Sequence, residues 1–470
     1  MSADFAPTPR FVDGGISYWW RDLGEPACRA PLAGDTDADV AIVGAGYTGL
    51  WTAYYLKAHQ PDLRIVMLEK EFAGFGASGR NGGWLSAEPP GQLGRYARAH
   101  GRESAVRLQR AMFHTVDEVI AVAGREGIDA HIVKDGYLQV ATNPAQQRRL
   151  AEHVPHLRAH GWAPEDLQLI DAAELGERVR IPGASGALFS RHCARIHPAR
   201  LARGLAEVVE RSGVTIAEET TVTQVLPGQA VTDHGTVRAQ FVLRALEGFT
   251  SGLEGHRREW LPMASSMVVT EPFPSAVWNE IGWRGAELLS DEAHAFAYVQ
   301  QTRDGRIALG GRAVPYRYGS QRDARGETLG NTVEQLREVL GRLFPAARGV
   351  GIDHGWSGVL GVPRDWCATV AVDAATGLGH AGGYVGHGVA STNLAGRTLA
   401  DLVLRRDSDL VTLPWVGRTV RRWEPEPLRW LGVRGLYAAY RMADRQERGS
   451  ASSRTSPVAH VADRISGRAG

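Results

Sequence analysis

The sequence has little cysteine, almost no lysine and no long apolar run. Its three cysteines, Cys28, Cys193 and Cys367, are widely spaced and form no C-x-x-C pair, which argues against a disulfide framework and against a structural zinc site. A reducing compartment is the expectation, and no metal centre is marked. Lys57, Lys70 and Lys134 are the only lysines, so nearly all of the 53 basic residues are arginine. The 52 acidic residues balance them, leaving a formal net charge of +1. The arginines are therefore no nucleic-acid footprint. No stretch approaches the roughly 18 continuous apolar residues of a membrane span. The opening MSADFAPTPRFVDGG lacks a basic segment followed by an apolar core. A cytoplasmic protein without an integral membrane segment is expected.

What is present suits a large folded chain. With 470 residues, 43% of them hydrophobic, the chain exceeds the size at which one core keeps growing, so two domains are expected. Residues 1–37, rich in proline, glycine and aromatics, read as an extension over a domain surface. Strand-helix-strand texture follows at Asp39–Val43, Tyr47–His59 and Leu63–Leu68. It returns near 190–255 and 345–405, while short antiparallel strands and helices fill the gaps, with a hairpin expected across Asp304-Gly305. The expected architecture is α/β: a discontinuous Rossmann-like domain from 38–110, 190–255 and 345–405, and an α+β substrate domain with an antiparallel sheet from 111–189 and 256–344. Residues 406–470 would form a C-terminal clamp, with Gln446–Gly470 a mobile tail on composition.

The segment DVAIVGAGYTGL sets Gly44, Gly46 and Gly49 between strand and helix, and Glu69 ends the next strand 20 residues later. This is the dinucleotide fingerprint. Gly44 permits the tight turn, Gly46 lets the backbone approach a pyrophosphate and Gly49 lets the helix sit close, while Glu69 would accept hydrogen bonds from ribose hydroxyls. The fingerprint alone does not separate FAD from NAD. A second glycine-rich loop, Gly74–Gly83, suits an elongated ligand: Ser78 could bond to a phosphate, and Arg80 and Asn81 could reach toward a ring system.

With these motifs the chain resembles the FAD-dependent amine and amino-acid oxidoreductases that include D-amino acid oxidase, glycine oxidase and sarcosine oxidase, with the gamma-glutamylputrescine oxidoreductase branch nearest in appearance. The signs are SYWW at Ser17–Trp20, LEK at Leu68–Lys70, ASGRNGG at Ala77–Gly83, IHPARLARGLA at Ile196–Ala206 and GGYVGHGV at Gly382–Val389. The resemblance implies bound FAD. It places Lys70, Ser78, Gly79, Arg80, Asn81 and Gly82 beside the cofactor, Val222 against the adenine, and Gly383, Tyr384, Gly386, His387 and Gly388 at the pyrimidine side of the flavin.

Three departures from that pattern bear on chemistry. Ala390 stands where the sarcosine enzyme has a lysine for its substrate carboxylate, which disfavours a simple N-methyl amino acid. Glu247 stands where a small polar residue is usual, and reads either as a substrate ligand or as an inert surface residue. Cys367 lies beyond the position of the sarcosine enzyme's flavin-linking cysteine, so noncovalent FAD is expected. Arg80, Asn81, Trp84, Glu247, Arg312, Trp356 and His387 are the candidates for the substrate and catalytic wall, since arginine suits a carboxylate, glutamate a cationic amine and tryptophan an apolar body.

The expected reaction is oxidation of the carbon–nitrogen bond of an amine or amino acid to an imine that water hydrolyses, with oxygen as acceptor and release of hydrogen peroxide. Alternatives are a dehydrogenase serving a quinone or protein acceptor, a hydroxy-acid oxidase, and a non-catalytic flavin-binding protein.

Overall fold

The computed structural model describes residues 11–311, 316–322 and 325–467. Within them, two large sheets divide the work. The first is built around Thr36–Val43, which pairs in parallel with Ile65–Leu68 on one side and with Thr236–Arg244 on the other. Thr215–Ala217 extends it beyond Ile65–Leu68, and Leu378–Gly382 pairs in parallel with the last residues of Thr236–Arg244. An antiparallel ribbon, Val222–Leu226 with Gln229–Thr232, occupies the first half of that same edge.

The alternation of side chains along a strand explains why these short apolar runs fold so. Val40 and Ile42 point into one buried cluster, and Ala41 and Val43 into another on the opposite face. The first face is covered by Tyr47–His59, Arg102–Arg125, Pro198–Arg211 and Gly388–Val403. Gly396 lets two of these helices touch closely: a Cβ there would lie 2.6 Å from Trp51 Cβ and 2.8 Å from Thr52 N.

The second sheet runs in the order Ile352–Val362, Leu261–Thr270, Ile307–Gly311, Tyr298–Gln301, Leu288–Asp291, Tyr137–Ala141, Gly186–Ser190, Leu167–Asp171. All its pairs are antiparallel except Leu288–Asp291 with Tyr137–Ala141. Val268, Leu289, Val299 and Leu309 from this sheet bury against Val333, Leu336 and Leu340 of the helix Gly330–Leu343. The α/β architecture with a Rossmann-like sheet and a separate mixed sheet is thus present. The strand Ile352–Val362, within the third segment expected of the first domain, runs in the second sheet.

The chain ends depart from expectation. Ser17 caps the helix Tyr18–Leu23 by accepting from Trp20 N, and Trp19 and Trp20 are buried, so this part of the N-terminal segment is core and contributes about 1.5–3 kcal/mol per large side chain. Far from being a mobile tail throughout, 446–467 holds the helix Pro457–Ser466. Ser456 caps it, Pro457 fits its first turn, and the Tyr440 hydroxyl donates to Asp463 at 2.8 Å. Small alanines at 459 and 462 bury its inner face, a pattern that composition alone hides.

Candidate functional site

The fingerprint turn has the geometry its glycines require. Gly44 sits at φ +104°, and a Cβ on it would lie 2.7 Å from Ala245 O. A Cβ on Gly49 would lie 2.1 Å from Gly44 O, so the helix approaches the turn closer than any other residue allows. Gly46 is the N-cap of Tyr47–His59 and supplies no side-chain cap, leaving the positive end of the helix open to an anion. Ser78 reaches into this region and its Oγ accepts from Tyr47 N at 2.8 Å. Glu69 Oε2 accepts from Ala45 N at 2.9 Å and Oε1 from Glu71 N at 3.2 Å. Burial nevertheless pushes its pKa up to about 7.

A cleft of about 400 Å³ runs from this turn. Glu69, Lys70, Thr220, Thr221 and Val222 line it near the ribose-type carboxylate; Gly44, Gly46, Ser78 and Asn81 line it at the turn; Tyr384, Gly386, Gly388 and Thr392 line it at the second glycine turn. The Thr48 and Tyr384 hydroxyls are 3.0 Å apart and tie the two helix-start regions together. A long cleft with glycine backbone at both turns, a helix start whose N-cap residue carries no side chain and the half-buried Glu69 carboxylate fits an elongated dinucleotide.

Glu247 is neither a surface residue nor free to serve as a substrate ligand by both oxygens. It adopts the left-handed region at φ +45°, and its half-buried carboxylate accepts from Gly383 N at 2.8 Å and Tyr384 N at 3.2 Å. Burial raises its pKa to about 7, although these backbone donors oppose the rise. Glu247 therefore shapes the second glycine turn from one side of the cleft, which it also lines.

Other expected residues divide between lining and support. Arg80, Trp84, Trp356, His387, Gly49, Gly79, Gly82 and Gly383 are not among the lining residues. The Arg80 side chain is buried, donates from Nε to Phe75 O at 2.7 Å and from Nη1 to Ser357 O at 3.3 Å, and accepts through its own carbonyl from Trp356 Nε1 at 2.8 Å. Arg80 and Trp356 thereby fasten the loop 74–83 to the second sheet. Asn81 lines the cleft, and its side chain closes the loop by donating to Ser78 O and accepting from Gly83 N. Trp84 lies on the short strand Trp84–Ser86 beside Tyr137. Gly79 is packed against the Trp20 indole and Gly82 against the Tyr298 ring. Arg312 lies outside the described residues.

His387 turns from the second glycine turn toward Glu88, with Nδ1 3.1 Å from Oε2. The Tyr137 hydroxyl donates to Glu88 Oε1 at 2.9 Å. Burial raises the Glu88 pKa, but the His387 bond and charge, followed by the Tyr137 bond, carry it below the usual glutamate value. Glu88 was absent from the sequence reading, as were the lining residues Thr48, Thr220, Phe249, Arg322, Leu360 and Thr392. Only Thr48 and Thr392 had a local signal, each standing in the first turns of a helix that follows a glycine-rich turn.

Comparison with known proteins agrees with this arrangement. A family model described as FAD dependent oxidoreductase matches residues 39–402. The gamma-glutamylputrescine oxidoreductase of Escherichia coli (strain K12) is 30% identical over 400 residues, 84% of this chain and 89% of that protein. In structure, glycine oxidase from Geobacillus kaustophilus superposes with a TM-score of 0.68 at 20% identity, covering 82% of this chain and 100% of that one. L-proline dehydrogenase from P. horikoshii gives 0.64 at 17% identity, covering 80% and 96%. The chain belongs to the family of FAD-dependent oxidoreductases.

Proposed function

We propose that this enzyme oxidises the carbon–nitrogen bond of a primary or secondary amine or an amino acid, holding FAD without a covalent link. The observation that carries the reading is the continuous cleft from the fingerprint turn to the glycine turn 382–388, joined with the kinship to proteins named for amine and amino-acid substrates. FAD, when bound, supplies the two-electron acceptor. The helix start at Gly46 and the Ser78 hydroxyl would hold its diphosphate; Glu69 would take its ribose, Val222 would border its adenine, and Tyr384, Gly386 and Gly388 of the second glycine turn would meet its pyrimidine side.

The chain's remaining tasks are binding, orientation and exclusion of water. Glu88, held below the usual glutamate pKa and bonded to Tyr137 and His387, fixes the His387 ring beside the second glycine turn. Glu247 fixes that turn. None of Cys28, Cys193 and Cys367 lines the cleft, which supports noncovalent binding. The favoured acceptor is oxygen, with hydrogen peroxide as product.

A dehydrogenase serving a quinone or carrier is the second reading, favoured by the placing of the lysines. Lys57 donates to Pro61 O and Leu63 O, Lys134 pairs with Asp117, and Lys70 lines the cleft beside Glu69. No lysine accompanies the second glycine turn, where an ammonium would stabilise the negative charge that develops on oxygen as it is reduced. Turnover of an amine in air with assay of hydrogen peroxide, against anaerobic turnover with a soluble quinone, separates the two: peroxide in step with amine consumed supports the oxidase, and quinone-dependent turnover without peroxide replaces it.

A further inference from the structure

Among the described residues, nine large hydrophobic side chains are exposed, and five of them, Leu428, Leu431, Met442, Val461 and Ile465, belong to the two C-terminal helices. Each is more than half exposed, between 53% and 62%. On the helix Leu428–Arg448 they follow a pattern. Leu428, Leu431, Gly435, Ala438 and Met442 fall within an arc of roughly 80° at about 100° per residue. That arc lies across the helix from Val433, Tyr437 and Tyr440, which are buried against the body. The second helix, Pro457–Ser466, buries Ala459 and Ala462 and presents Val461 and Ile465, one turn apart, to the outside.

Charge on this segment is sorted by direction. Its carboxylates are engaged inward: Glu424 with Arg364, Glu426 with Tyr316 and Arg429, Asp444 with the amides of His294 and Ala295, Glu447 with Arg149 and His294, and Asp463 with Tyr440. Arg434, Arg445, Arg448 and Arg464 are exposed, and Arg434 and Arg445 border the apolar stripe along one edge. The outer surface is thus apolar and cationic. Water is a poor partner for such a stripe, and an antiparallel second copy would bring the arginine edges together without a carboxylate between them. An interface of lipid chains below phosphate headgroups satisfies both parts.

We propose that the C-terminal helix pair docks the enzyme on an anionic lipid surface, the stripe from Leu428 to Met442 entering the headgroup boundary and the bordering arginines meeting lipid phosphates. Docking of this kind is peripheral, for no helix of the described residues is long and apolar enough to cross a membrane. It is independent of the substrate assigned above.

The test is cosedimentation of the full, flavin-loaded protein with vesicles of equimolar phosphatidylcholine and phosphatidylglycerol, and with phosphatidylcholine alone, at low and high salt. Binding to the anionic vesicles should exceed that to the neutral ones by about tenfold or more and fall with salt. The double variant Leu431→Glu, Ile465→Glu should lose it, and Arg445→Gln should weaken it. Leu169→Glu, which changes an exposed leucine elsewhere, should bind as the parent does. Because all these positions are exposed, flavin content and circular dichroism should be unchanged. Equal binding to both vesicle types, or anionic binding that survives the double variant, overturns the proposal. So does a particle of two chains in light scattering that Leu431→Glu splits while no vesicle binding is seen, which would assign the stripe to a second copy.

Discussion

The amide of Gly383 donates to the half-buried Glu247 carboxylate across 2.8 Å, so one side chain, itself in a left-handed backbone conformation, sets the turn that closes one end of the cofactor cleft. Burial raises the Glu247 pKa to about 7 from an ordinary value of 4.5. An acid raised in the folded state holds its proton more tightly there than in the unfolded chain. Its stabilising contribution is complete below about pH 4.5 and is lost as pH rises through about 7. Glu247→Gln should remove up to about 3 kcal/mol of this pH dependence. Denaturant unfolding of parent and variant across that interval checks it: the stability difference should shift in the variant's favour as pH rises, and a constant difference contradicts the assignment.

Two neighbouring glycines should fail in different ways. In Gly46→Val the Cβ begins 3.0 Å from Ser78 Oγ and the branches enter the cleft, so the purified protein should be folded but poor in flavin. In Gly49→Ala the added carbon meets Gly44 O at 2.1 Å, which should destabilise the fold by about 1–3 kcal/mol or more. Flavin-to-protein ratio and thermal melting separate the two outcomes. Full flavin occupancy in Gly46→Val would remove the phosphate contact.

Loss of the Glu88 charge should be felt in turnover. Glu88→Gln keeps the shape but weakens the bond that fixes His387 beside the second glycine turn. The expected loss in kcat/KM is ten- to hundredfold, about 1.4–2.7 kcal/mol, with flavin content unchanged. Parent-like kcat/KM for every amine substrate would deny the pair a part in binding.

Acid denaturation should free the cofactor. Cys193 and Cys367 are buried and Cys28 is exposed, and none faces the cleft, so the precipitated chain should be colourless and the supernatant yellow. Colour retained in the pellet would overturn noncovalent binding.

The fingerprint was legible because its information is local: Gly44, Gly46 and Gly49 encode a turn by spacing alone, and Glu69 ends the adjacent strand. Tyr384 and Val222 were found through resemblance, and both line the cleft. Arg80 and Trp356 carry no local mark of their placement, because a buried arginine that clamps two carbonyls and a core tryptophan use the same residue types as a substrate wall. Their partners, Ser357 O and Arg80 O, lie more than 270 positions away in sequence. Glu88 and the Glu247–Gly383 bond were hidden for the same reason, since Glu88 meets Tyr137 and His387, and Glu247 meets Gly383 from the end of a neighbouring strand of the first sheet, only in the folded chain. The final helix was obscured by its polar composition, although Ser456-Pro457 carries a start signal.

The central claim is tested most directly by mixing the flavin-loaded enzyme anaerobically with a panel of amines and amino acids and with the matched hydroxy compounds, following the visible absorbance of oxidised flavin. The result predicted is rapid loss of that absorbance with at least one amine or amino acid and little change with its hydroxy counterpart, whichever acceptor the enzyme uses in air. Flavin that stays oxidised with every amine while a matched hydroxy compound bleaches it would contradict carbon–nitrogen oxidation and leave only the FAD fold standing.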